Sequence, residues 1–132
     1  MLLLDTAALV WTVQGNRRLG RHAAAVLRRA AAGTVGYSVV SLYEIGLLAG
    51  RGRISLQADL AAWRRELLAN GFIEHALHGE HAVRATDLSG LPSDPADRLI
   101  VATAIVTGAT LVTSDEKILA WQGHLDRIDA EV

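Results

Sequence analysis

Four carboxylates stand where a carboxylate is costly. Asp5 directly follows the apolar run Leu2-Leu3-Leu4, and Glu44 interrupts the apolar stretch that runs from Val39 to Ala49. Asp97 opens a segment that continues Leu99-Ile100-Val101-Ala102, and Asp115 lies just past Thr110-Leu111-Val112. Asp and Glu are almost never fully buried unless they are paired or bind a metal. Brought together without matching cations, the four would repel one another and some would be driven neutral. A divalent cation resolves the conflict, and oxygen-only ligands select hard ions, Mg²⁺ or Mn²⁺. Such an ion can lower the pKa of a water, orient it for in-line attack on phosphorus and stabilise the leaving oxygen. Phosphodiester hydrolysis of this kind needs no Ser, His or Cys nucleophile.

Each acid also has a purely local reading. Ser41-Leu42-Tyr43-Glu44 has the spacing of a capping box, in which Glu44 ties down a helix start. Asp94-Pro95-Ala96-Asp97 offers an N-cap residue, a proline in the first turn and an acid at the third position. Asp94 is read mainly as a cap, whereas capping and chemistry can coexist at Asp97. Asp115 can complement a helix dipole, and Asp5 can cap the helix that follows it. Taken singly, these readings equal or outweigh the chemical one. They do not explain why four acids should share one edge of the fold.

That edge follows from the elements. Short apolar runs alternate with helical ones, the signature of an α/β domain with a mainly parallel sheet. Strands are expected over Leu2–Leu4, Val35–Ser38, Phe72–His75 and Thr110–Val112, with an edge strand in the last residues. Helices are expected over Thr6–Val13, Arg17–Ala32 with Gly33 as its C-cap, Val40–Ala49, Leu56–Asn70, Glu80–Leu88, Asp94–Thr107 and Asp115–Trp121. The Asp94–Thr107 helix is apolar nearly all round after Arg98 and should be buried. Right-handed crossovers put helices on both faces, and ligands of such sheets sit beyond the carboxyl ends of the strands. Asp5 and Asp115 follow strands directly, and Glu44 and Asp97 lie early in helices.

Bulk properties narrow the class. The chain has 132 residues, which suits one domain over residues 1–132, and no cysteine, which excludes a disulfide framework and a thiolate zinc site. No stretch approaches the ~20 apolar residues of a membrane helix. Met1-Leu2-Leu3-Leu4-Asp5 has no basic leader, so a cytoplasmic protein is expected. The formal net charge is −1, yet 13 residues are basic and all except Lys117 are arginine. They cluster at Arg17, Arg18 and Arg21, at Arg28 and Arg29, at Arg51 and Arg53, and at Arg64 and Arg65. Each pair alone reads as a solvated helix face; together they can contact phosphates. His75, His78 and His81 recur every third residue, but the H-E-x-x-H helix is absent and this spacing drifts around a helix. Trp11, Trp63 and Trp121 are read as core or interface residues before base-stacking ones.

The segments Leu2-Leu3-Leu4-Asp5-Thr6, Ser38 to Ile45, Asp94 to Ala104 and Leu111-Val112-Thr113-Ser114-Asp115 occur in the order and spacing of a PIN domain. Over nearly its full length the chain resembles the VapC-type toxins of that family. The resemblance implies a three-layer α/β/α fold and Mg²⁺- or Mn²⁺-dependent cleavage of RNA by an endoribonuclease. It implies Asp5, Glu44, Asp97 and Asp115 as catalytic and metal-site acids, with Thr6, Thr113 and Asp94 in support. It also implies a homodimer and a cognate VapB-like antitoxin that covers the site. Many relatives carry a bulky aromatic where this chain has Ala96, a change that leaves the acids in place.

Two other functions fit such a sheet. In a phosphoacceptor or phosphatase domain, Asp5 would be the phosphorylated nucleophile; against this, no second acid lies two residues further on, and Lys117 is the only lysine. A non-catalytic RNA- or protein-binding module would have no need of all four acids.

Overall fold

The three central strands are short and largely apolar because helices cover them on both sides. β1 (Leu2–Leu4), β2 (Val35–Ser38), β3 (Ile73–His75), β4 (Thr110–Thr113) and β5 (Arg127–Asp129) form one sheet in the order β3-β2-β1-β4-β5, in a computed structural model that describes residues 1–132. Every pairing is parallel. Seven helices connect the strands: α1 (Thr6–Gln14), α2 (Arg21–Arg29), α3 (Val39–Gly50), α4 (Leu60–Ala69), α5 (Gly79–Thr86), α6 (Pro95–Thr107) and α7 (Glu116–Leu119).

Alternation along the strands separates two cores. Leu3 and Leu111 pack with Val40, Ile100, Val101, Ala104 and Ile118. Leu4, Tyr37 and Val112 face the other way, onto Leu9, Trp11, Ile45, Trp63 and Leu67. The result is the expected three-layer α/β/α architecture, with a sheet that is wholly parallel. No helix is long and apolar enough to cross a membrane.

The register places the acids. Leu4 pairs with Tyr37 on one side and with Val112 on the other, so Asp5, Ser38 and Thr113 come next in line at the carboxyl edge. From β1 the chain winds outward through β2 to β3, then returns to lay β4 and β5 on the opposite side. The carboxyl end of β1 is therefore a topological switch point, where open parallel sheets form their crevice.

Several boundaries differ from the sequence expectation. α2 starts at Arg21, with Asn16–Leu19 in a turn before it. Its N-cap is Gly20, where a Cβ would stand 2.2 Å from the Val132 carbonyl oxygen, so only glycine lets the C-terminal segment approach. α2 ends at Arg29, since Ala30 has turned extended, and Gly33 lies beyond the helix. α4 starts at Leu60 because the Asp59 carboxylate caps it, accepting from the Ala62 amide at 2.8 Å.

Candidate active site

Asp5 occupies the junction of β1 and α1 and is only 7% exposed. Its Oδ1 caps α1 by accepting from the Ala8 amide at 2.8 Å, and its Oδ2 accepts from the Thr113 hydroxyl at 2.5 Å. Burial pushes its pKa up to about 6; the two hydrogen bonds oppose this, and the charges of Asp115 and Glu44 add to it. The local capping reading of Asp5 was thus correct, and the carboxylate meets the other acids as well.

Glu44 does not close a capping box. α3 begins at Val39, and its cap is Ser38, whose hydroxyl accepts from the Val40 amide at 3.2 Å. That puts Glu44 in the second turn, where its Oε1 lies 2.5 Å from the Thr6 hydroxyl. The Thr6 oxygen is also 3.0 Å from Ser41 Oγ. A hydroxyl carries one proton. With that proton on the carboxylate, Thr6 is left to accept from Ser41. Ser41 is wholly buried. In the sequence Ser41 stands out only as the first residue of a possible capping box around Glu44; its buried place behind Thr6 has no local signal.

Asp97 stands in the first turn of α6. Asp94 is the cap of that helix, accepting from the Asp97 amide at 2.9 Å, and Pro95 follows in the first turn. Burial pushes the Asp97 carboxyl up to about 7, helped by the charges of Asp94, Asp115, Glu44 and Asp5. Arg98, its neighbour in sequence, offers no relief. Its guanidinium is turned toward the α5–α6 connection, donating to the carbonyls of Ala85 at 2.9 Å, Leu91 at 2.6 Å and Leu88 at 3.4 Å.

Asp115 caps α7 through one oxygen, Oδ1, which accepts from the amides of Lys117 and Ile118. Its own amide donates to the Thr113 hydroxyl at 3.1 Å. Thr113 is fully buried and so ties Asp5 and Asp115 together from below.

Asp5, Thr6, Glu44, Asp97 and Asp115 all line one cleft of about 400 Å³, together with Ser114. Asp94 and Thr113 lie outside its lining and act through Asp97 and Asp5. Arg18 is the one cation among the lining residues. No three Asp, Glu or His side chains close into a cage tight enough to enclose a metal ion. An open ring still suits Mg²⁺, which keeps several waters and takes few carboxylates directly. The donor set is all oxygen; burial first, and then the neighbouring carboxylates, push the Asp5 and Asp97 carboxyls up, and Arg18 is the one positive side chain in the lining. These residues fit a hard divalent cation.

The other candidates lie elsewhere. His81 Nδ1 accepts from the His78 amide at 2.8 Å, and the two rings stack at 5.3 Å, which closes the start of α5. His75 packs against Gly36, where a Cβ would meet its Nε2 at 2.9 Å. Trp63 is a core residue. Among the arginine clusters, Arg64 is committed to Glu74, at 2.7 and 2.9 Å.

Fold and cleft together define a class: a three-layer α/β/α domain with an acid-lined crevice at its switch point. The profile of the PIN domain matches residues 2–122, and the chain belongs to the PIN-domain family. Ribonuclease VapC22 of Mycobacterium tuberculosis is 31% identical over 117 residues, covering 89% of this chain and 88% of that protein. Among solved structures, a chain of a toxin–antitoxin complex from Klebsiella pneumoniae matches with a TM-score of 0.71 at 21% identity, covering 98% of each chain. A chain of VapBC2 from Rickettsia felis, solved with a DNA fragment from their promoter, matches with a TM-score of 0.69 at 17% identity, covering 98% of this chain and 100% of that one. These two structures share the fold.

Proposed function

We propose that the chain is an Mg²⁺- or Mn²⁺-dependent endoribonuclease and the toxin of a toxin–antitoxin pair. The observation that carries the reading is the cleft, where four carboxylates from four separate segments meet with a single cation among them. The likeness to a ribonuclease over most of the chain supports RNA as the substrate. The fold shared with chains of toxin–antitoxin complexes supports a VapB-like antitoxin as partner.

In this reading Asp5, Glu44, Asp97 and Asp115 would hold the cation. A bound divalent ion supplies charge to the phosphodiester and acidity to the attacking water. The protein's own groups do the positioning. Thr113 fixes Asp5, Thr6 fixes Glu44 with Ser41 behind it, and the Asp94 cap fixes the turn that carries Asp97. Asp115 keeps its second oxygen free for the cleft. Asp5 is a poor phosphoacceptor here, because both of its oxygens already accept hydrogen bonds.

A homodimer is part of the proposal. Tyr43 and Leu47 stand one turn apart on α3, exposed at 69% and 38%, and Val83 on α5 is 71% exposed. The cytoplasm, where such an RNA substrate is found, is the proposed compartment.

The test is cleavage of a mixed RNA pool by purified, antitoxin-free protein with Mn²⁺ or Mg²⁺, with EDTA, and with Asp5→Asn. Cutting that needs the metal and disappears in the variant is expected. Cutting that survives Asp5→Asn would remove this site from the reaction. Labelling of Asp5 by a phosphate donor would favour the phosphoacceptor instead.

A further inference from the structure

We infer that Arg18 grips a substrate phosphate beside the four acids, and that Glu131 holds it ready while the cleft is free of RNA. The inference rests on the ribonuclease reading and adds to it a residue that no carboxylate motif predicts.

Arg18 is the one cation lining a cleft otherwise rich in acids. A polyanion entering that cleft is repelled by the four bare carboxylates and meets no other positive side chain in the lining. Three restraints fix the guanidinium in place. The backbone of Arg18 is pinned by a turn in which its amide donates to Asn16 Oδ1 at 2.9 Å, while the Asn16 amide donates to the Trp11 carbonyl at 2.9 Å. The guanidinium lies over the Trp11 ring, 4.4 Å from its centroid. Trp11 is only 7% exposed and belongs to the core, so the platform is rigid. One edge of the fork donates to Glu131 at 3.0 Å.

Glu131 is held in turn. The Val132 carbonyl accepts from the His22 and Ala23 amides at the start of α2, and the Ala130 carbonyl accepts from Gly20 at 2.8 Å. The segment is strapped to the helix that follows Arg18, which keeps Glu131 beside it. A guanidinium held over an indole still has N–H donors to offer, and its fork can meet two phosphate oxygens. The Arg18–Glu131 pair is exposed, at 64% and 48%, and exposed pairs are weak. A phosphate therefore displaces Glu131 readily. The ligand class is the backbone of single-stranded RNA, one phosphate per Arg18.

The experiment measures binding of a fluorescent single-stranded RNA by anisotropy across a salt series, in an Asp5→Asn background. Arg18→Gln should weaken binding about fivefold at low salt and make the log–log salt slope shallower by about 0.7, the value for one lost phosphate contact on a single strand. Arg18→Lys should keep the slope and lose part of the affinity. Glu131→Gln should strengthen binding, about twofold. Arg28→Gln on the far end of α2 should leave the slope unchanged. A wild-type slope in Arg18→Gln, or an equal loss in Arg28→Gln, overturns the assignment. Cleavage by the unaltered protein is read separately. If that protein cuts while Arg18→Gln keeps the full slope, only the Arg18 role falls. If it does not cut while Arg18 carries the slope, only the nuclease reading falls.

Discussion

Asp97 is the least supported of the four acids. No hydrogen bond reaches its carboxylate, while burial and four neighbouring carboxylates push it up to about 7. Asparagine keeps its shape and removes the charge. Asp97→Asn should abolish metal-dependent cleavage, yet raise the melting temperature of the metal-free protein at pH 8 by roughly 4 °C, equivalent to about 1 kcal/mol after screening by solvent. Gain of stability with loss of activity marks a site residue; a loss of both would make Asp97 a structural residue of the first turn of α6. The pH dependence has a definite sign. Both Asp5 and Asp97 are raised from 3.8 in the folded state, to about 6 and about 7. The folded protein keeps protons that the unfolded chain has released, so the stability they contribute is complete below 3.8 and is lost as pH climbs through 6 and 7. Melting in EDTA should therefore fall between pH 5 and pH 8, and Mn²⁺ should restore more at pH 8, where it no longer competes with protons. A melting temperature that rises over this window would mean that the two carboxyls are not held up.

At the scale of elements, the site depends on how helices begin. The start of α6 is steadied by Arg98, whose three donations to Ala85, Leu88 and Leu91 bind the α5–α6 connection to the turn carrying Asp94 and Asp97. Arg98→Met keeps the apolar stem and drops the donors, leaving carbonyls without partners. It should cost about 2 kcal/mol and speed amide exchange over Ser89–Ser93; unchanged exchange there would show that the clamp is idle. Sequence periodicity found every strand and helix, because short buried strands and apolar helices leave strong local patterns. It also found all four cleft acids, since each broke such a pattern. The start of α4 was misplaced although its signal, the Asp59 cap, is local; other misplacements were set by contacts from far along the chain. α2 starts at Arg21 because Val132 abuts Gly20, and no local rule reports a neighbour 112 positions away. Ser41 and Glu44 matched a capping box in spacing, but the register of β2 moved the helix start to Val39 and turned the pair toward Thr6. Arg18 looked like one member of a solvated cluster until the fold set it over Trp11.

At the scale of the molecule, the exposed apolar residues of α3 and α5 should be covered by a second copy. Tyr43→Glu with Leu47→Glu should yield a monomer by light scattering while the fold, followed by circular dichroism, is kept; an unaltered mass would place the dimer contact elsewhere. The sheet order has a consequence for timing. β1 lies between β2 and β4, so it waits for a partner strand made long after it. The Asp5–Thr113 hydrogen bond joins positions 108 residues apart. Contacts that distant form late, because the loop they close is long. A nascent chain therefore carries Asp5, Glu44 and Asp97 out of the ribosome well before β4 arrives to bring Asp115 beside them. For a protein proposed to destroy RNA, this order makes the cleft the last part of the fold to be completed: until β4 pairs with β1, Asp5 has neither the Thr113 hydroxyl nor Asp115 beside it.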